Sequence, residues 1–207
     1  SYTINTSDNG QLAFGLKAGA HLLNIDFNRT NPENPTDDDF DLSNNVDNKF
    51  SPNVGFGIYY YTDKFYFGYS APTLLRTKYY DNDVNSISYL AKDRVNHYLI
   101  AGYVFDLSAD LKLKPAVLFK AVQGAPLQAD LSGNLLMNEK LTLGLAYRWD
   151  AALSGLVGFQ VSEGLMIGYA YDWETTELNN YNSGSHEIIL RYELSSSKDG
   201  IISPRFF

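Results

Sequence analysis

One stretch restricts the fold more than any other, Leu127 to Leu194. Every second residue from Leu127 is apolar or small: Leu127, Ala129, Leu131, Gly133, Leu135 and Met137. Gln128, Asp130, Ser132 and Asn134 stand between them. Strict alternation over this length is a β-strand with one apolar and one polar face. The pattern resumes at Leu141, Leu143, Leu145, Tyr147 and Trp149, and again from Leu153 to Val161. Two further copies hold Leu165, Ile167, Tyr169, Tyr171 and Trp173, then His186, Ile188, Leu190, Tyr192 and Leu194. Each segment has about ten residues, the length at which a tilted strand crosses a hydrocarbon core. The apolar face carries aliphatics in mid-strand and Tyr or Trp toward the ends, as an aromatic girdle does. The other face is polar or small, whereas a soluble barrel puts its bulky apolar groups inside. The expected fold is all-β, a transmembrane antiparallel up-and-down β-barrel with its apolar face toward lipid.

Earlier strands are expected at 1–6, 11–27, 50–61, 65–74, 95–105 and 111–122, which brings the total to about eleven. A barrel over residues 1–194 is followed by a tail over 195–207 that does not read as strand. Three connections are long: the acidic loop 28–49, residues 75–94, and the Asn-rich segment 174–184. A short pattern with a central glycine recurs at Leu12-Ala13-Phe14-Gly15-Leu16, Phe65-Tyr66-Phe67-Gly68-Tyr69, Leu141-Thr142-Leu143-Gly144-Leu145 and Leu165-Met166-Ile167-Gly168-Tyr169. Each copy follows a tight turn, so the four strands run the same way and the long loops fall on the opposite side. Short periplasmic turns and long extracellular loops are the asymmetry of outer-membrane barrels, which have even strand numbers and periplasmic termini. On that parity Ser1 enters from the loop side, so at least one upstream strand and a secretory signal are expected before it. The whole barrel would then have twelve to fourteen strands or more.

Composition narrows the function classes. No run approaches the roughly 18 apolar residues of a membrane-spanning helix. A mildly negative mean hydropathy of −0.25 suits strands that are half polar. The net charge is −8 and no basic patch exists, so nucleic acid is not an expected partner. Cysteine is absent, which excludes thiol chemistry and disulfides.

The chain resembles the PorP/SprF family. The resemblance is carried by Leu113-Lys114-Pro115, Gly124-Ala125-Pro126, Tyr147-Arg148-Trp149-Asp150-Ala151, Gly158-Phe159-Gln160, Ile167-Gly168-Tyr169-Ala170-Tyr171-Asp172, Tyr181-Asn182-Ser183-Gly184-Ser185-His186-Glu187-Ile188 and the tail Ile202-Ser203-Pro204-Arg205-Phe206-Phe207. It is densest from about Leu111 onward. The resemblance implies an outer-membrane β-barrel of the type IX secretion system, acting in export or display of large surface proteins, including gliding adhesins. It implies as partners the C-terminal domain of a secreted surface protein and periplasmic type IX components linked to peptidoglycan, besides outer-membrane lipid. It implies no catalytic residues. A general porin or solute channel is the alternative on the residues alone.

On the polar face, Asp130, Arg148, Asp172 and Glu187 lie toward the loop end of neighbouring strands. They either form a charged cluster at the lumen mouth that holds a cargo segment or brace the wall as an interior ion-pair network. Gly144, Ala146, Gly158, Gly168 and Ala170 also face inward, leaving room for a peptide or relieving crowding. Asp37, Asp39 and Asp41 offer a weak Ca²⁺ possibility, without the glycine and distal glutamate of an EF-hand. Pro204, Arg205, Phe206 and Phe207 suggest a periplasmic docking peptide, with a disordered tail as the alternative. His21, His97 and His186 form no HxxxH or HExxH pair, and no GxSxG, P-loop or GxGxxG motif is present. A barrel-embedded lipase needs Ser and His on the lipid side. His186 has that parity, but no Ser is paired with it. Neither enzymatic activity, a metal nor a cofactor is expected.

Overall fold

A computed structural model describes residues 1–25, 46–75 and 94–192. They form one twelve-stranded antiparallel sheet with an up-and-down order. The strands are β1 (Tyr2–Asn5), β2 (Gln11–Ile25), β3 (Val46–Tyr61), β4 (Phe65–Ala71), β5 (Asn96–Tyr103) and β6 (Phe105–Ser108). There follow β7 (Leu111–Val122), β8 (Gln128–Met137), β9 (Leu141–Arg148), β10 (Ala152–Ser162), β11 (Leu165–Glu174) and β12 (Ser185–Tyr192). Neighbours in the chain are neighbours in the sheet, except that β5 and β6 both pair with β7. The expected all-β, up-and-down architecture is therefore present. The edges β1 and β12 are not paired with each other.

Two boundaries differ from the alternation pattern. β3 begins at Val46, four residues inside the expected acidic loop, because its pairing with β2 continues to Ile25↔Val46. The expected strand 95–105 is split at Val104 into β5 and β6. Gly102 pairs with Ala116 and Phe105 with Leu113, so the register passes through the break unchanged. Pro115 explains the gap. It has no N–H to give a ladder, while Val104 N–H continues the β4 pairing and donates to the Lys64 carbonyl, with N···O 2.7 Å. The eleven expected strands thus correspond to eleven sheet positions, one of them interrupted.

The registers place Leu131, Tyr147, Leu153 and Trp173 on one face of β8–β11, and Asp130, Arg148, Ser154 and Asp172 on the other. The apolar face is the exposed one. Leu145 is 68% exposed, Leu16 90% and Ile188 85%. Among the described residues the buried apolar side chains are Tyr66, Ala71, Val104 and Ala170 alone. A water-soluble domain of this size cannot fold on so small a core, whereas a sheet whose apolar side faces lipid needs none.

The turns on one side are tight. At the β8–β9 turn Asn138 and Glu139 have φ of 52° and 55°, and Lys140 N–H donates to the Met137 carbonyl, with N···O 3.0 Å. Two consecutive residues with positive φ make a type I′ turn, whose twist matches that of the strands it joins.

Candidate functional site: the inner wall

Every strand contributes alternate residues to the inner wall, so the pleat alone decides which side chains reach the lumen. At the loop end, β8 and β9 set Asp130 opposite Arg148. Arg148 Nε donates to Asp130 Oδ1 at 3.0 Å, and Gln128 Nε2 donates to Asp130 Oδ2 at 3.3 Å. Two of the four charged residues expected at the mouth are thereby joined. The other two stand apart: Asp172 lies opposite Ser154 and Ser185, and Glu187 opposite Ala170. With β10 between β9 and β11, Asp172 is two strand spacings from Arg148, about 10 Å. Among the described residues no ion pair links Asp172 or Glu187 to Arg148. The rim is therefore one braced pair beside two carboxylates held apart from it. Glu174, which the alternation pattern did not single out, also points inward at this end and accepts from Thr176 Oγ1 at 2.8 Å.

The inward glycines of β9 and β10 do not leave open space. A Cβ at Gly144 would sit 2.5 Å from Asn134 Oδ1, and one at Gly158 would meet Met166 Cε. Neighbouring side chains fold over both positions, so crowding accounts for these glycines. The opening lies across the sheet instead. A hollow of about 500 Å³ on β2–β5 is lined by Ala13, Gly15, Gly57, Gly68, Tyr59 and Ile100, among others. A Cβ at Gly15 would find only the Gly57 carbonyl, 3.9 Å away.

A second group was missed by the sequence reading although its signal is plain. In β7, Leu111, Leu113, Pro115 and Val117 alternate with Lys112, Lys114, Ala116 and Leu118, so two lysines enter the lumen at the short-turn end. Lys120, on the same face near the loop end, stands 5.9 Å over the Tyr98 ring. Lys112 Nζ lies 3.6 Å from Glu139 Oε1.

The outer face carries its polar handles near the loops. Tyr69 Oη and His97 Nδ1 are hydrogen-bonded at 2.7 Å, and Tyr169 Oη and His186 Nδ1 at 2.6 Å. Both pairs are diagonal across neighbouring strands, and amphipathic aromatics of this kind belong at a membrane interface. His186 thus faces lipid with a tyrosine partner. Asp37, Asp39 and Asp41 lie outside the described residues, as do Pro204, Arg205, Phe206 and Phe207.

The family model described as "Type IX secretion system membrane protein PorP/SprF" matches residues 1–192. The chain belongs to the PorP/SprF family. It is a membrane protein of the type IX secretion system, and its sheet fits an outer-membrane β-barrel. No curated protein matches the chain. Within this PorP/SprF protein the match spans every described strand, so the inner wall and its charged rim belong wholly to the family region.

Proposed function

We propose that this PorP/SprF protein is a non-enzymatic outer-membrane barrel that binds an exported surface protein, an adhesin, on its outer side and periplasmic type IX components on its inner side. In this reading the long connections 26–45, 72–95 and 175–184 are extracellular, and the short turns and the C-terminal segment are periplasmic. The observation that carries it is the inside-out sheet of a type IX family member, with its long connections gathered at one end and charges at that rim. Asp130 and Arg148 form a fixed polar step on the wall. Asp172 and Glu187 add two carboxylates that an incoming basic or hydrogen-bonding segment would meet. The segment Pro204 to Phe207 supplies two aromatics and a cation for a periplasmic contact. Because β1 and β12 occupy sheet positions one and eleven, they run in the same direction. All-antiparallel closure then takes an odd number of further strands.

Isolation of the native protein from membranes, with identification of its companions, tests the reading. A surface protein and periplasmic type IX proteins are expected, with the surface protein lost in Asp172→Asn/Glu187→Gln. Recovery of a lone barrel would overturn it. The hollow on β2–β5 favours a second reading, a general porin or solute channel, since side chains leave that part of the wall open. Steady conductance of the purified protein in planar bilayers would support the porin, and a nearly silent barrel the cargo reading.

A further inference from the structure

The hollow on β2–β5 is built by two adjacent rows of the inner wall. Gly15, Gly57 and Tyr98 belong to one row, and Tyr59, Ile100 and Leu118 to the next. The two glycines leave bare backbone as a floor, and two tyrosines and two aliphatic side chains stand around it. Both ends are bounded. Toward the loops the Pro72 backbone crosses Gly55, where a Cβ would lie 2.5 Å from its carbonyl oxygen. Toward the short turns the Tyr59 ring leans over Gly68 and packs near Tyr61 and Tyr66, with centroids 5.4 and 6.1 Å away. An apolar recess in a wall that faces water gains by receiving an apolar group. Its polar feature is Tyr59, whose buried hydroxyl has no hydrogen-bond partner among the described residues. A group left unmet in this way costs more than one that is met. A small turn of the ring would offer its proton to an acceptor lying in the hollow.

We propose that the hollow is a side-chain pocket of the lumen, taking one aromatic residue of an extended polypeptide. The incoming ring lies against Tyr98, Ile100 and Leu118, where tilted or offset aromatic contact adds to the burial of area. A backbone carbonyl of the same segment accepts from Tyr59. The volume of about 500 Å³ holds one such residue with its flanking amides, and no folded domain. The inference rests on the reading of this barrel as a component that binds an exported polypeptide, and it adds which side chain the wall selects and where.

Calorimetric titration of the full chain in lipid nanodiscs, with empty discs as the baseline, compares N-acetylphenylalaninamide with N-acetylalaninamide. The aromatic amide should bind about tenfold more tightly, the scale of burying most of a ring. Gly15→Leu sets a side chain on the floor of the hollow and should abolish that preference. Gly19→Leu, on the same face of β2 and with nothing within 4 Å of its Cβ position, should keep it. Tyr59→Phe should weaken the aromatic amide severalfold without lowering stability in urea, a combination that misfolding does not produce. Equal binding of the two amides, or a preference that survives Gly15→Leu, would overturn the pocket. A native protein isolated without companions, its hollow still preferring the aromatic amide, would overturn the exported polypeptide as occupant, and so the reading it rests on.

Discussion

Leu145→Arg asks the protein which side of its sheet is wet. Leu145 is the fifth of the eight residues of β9, Leu141–Arg148. At about 3.4 Å per residue and a tilt near 45°, it sits about 10 Å from one end of the strand and about 7 Å from the other. Its cross-strand neighbours are Gly133 and Gly155, neither with anything within 4 Å of a Cβ position. Leu145 is 68% exposed. A guanidinium there faces hydrocarbon near the midplane, at a cost of about 2–4 kcal/mol. Ser154→Arg on β10 is the matched control. It points inward between Ala146 and Asp172, whose carboxylate can meet the new cation, and its cost should stay within about 0.5 kcal/mol. Urea titration of the protein refolded into lipid vesicles, read by tryptophan fluorescence, gives both values. The reasoning is refuted if Leu145→Arg is neutral and Ser154→Arg is the damaging change, as in a sheet wet on its apolar side.

Glu139→Gly should stabilise the protein by about 1 kcal/mol, since glycine adopts positive φ in a type I′ turn without the Cβ penalty; the same titration measures it. A double-mutant cycle on Asp130→Asn and Arg148→Gln should give a coupling of about 0.5–1 kcal/mol, the scale of a half-exposed ion pair. Pairing either substitution with Glu187→Gln should give a coupling near zero, and a larger value would mean that the rim charges act as one network. Gly102→Ala should cost about 1–3 kcal/mol, because a Cβ there would lie 2.5 Å from the ring of the buried Tyr66. Gly15→Ala, facing open lumen, should be tolerated. The Asp106 carboxylate, by hydrogen bond and then by charge, raises the pKa of Lys64 in the β3–β4 turn above 10.5. Its stabilisation is complete below 10.5 and lost as pH rises through the raised value. Side-chain NMR should show the Lys64 titration returning to its ordinary range in Asp106→Asn.

Strand number, strand order and the face toward lipid were all legible in the alternation, because a sheet's pleat converts sequence parity directly into sidedness. Asp130, Arg148, Asp172 and Glu187 were legible as inward charges toward the loop end, but that Asp130 and Arg148 pair without the other two needed the register between β8 and β9. Parity says nothing about how side chains lean along a strand, however. Asn134 over Gly144 and Met166 over Gly158 are therefore features of the fold alone, and they turn apparent space into filled space. The interruption at Val104 was written in Pro115, on the neighbouring strand, where a reading of each segment by itself does not look. The inward lysines of β7 were readable from the same alternation but were masked by the strongly apolar residues around them.

The alternation of environments along β9 tests the central claim most directly, and the absence of native cysteine makes single spin labels clean at each position from 141 to 148. In vesicles, labels at 141, 143, 145 and 147 should collide with dissolved oxygen from the bilayer, while 142, 144, 146 and 148 should collide with a water-soluble nickel complex. The reverse phase, or uniform access of the nickel complex to every position, would contradict a barrel with its apolar face in lipid.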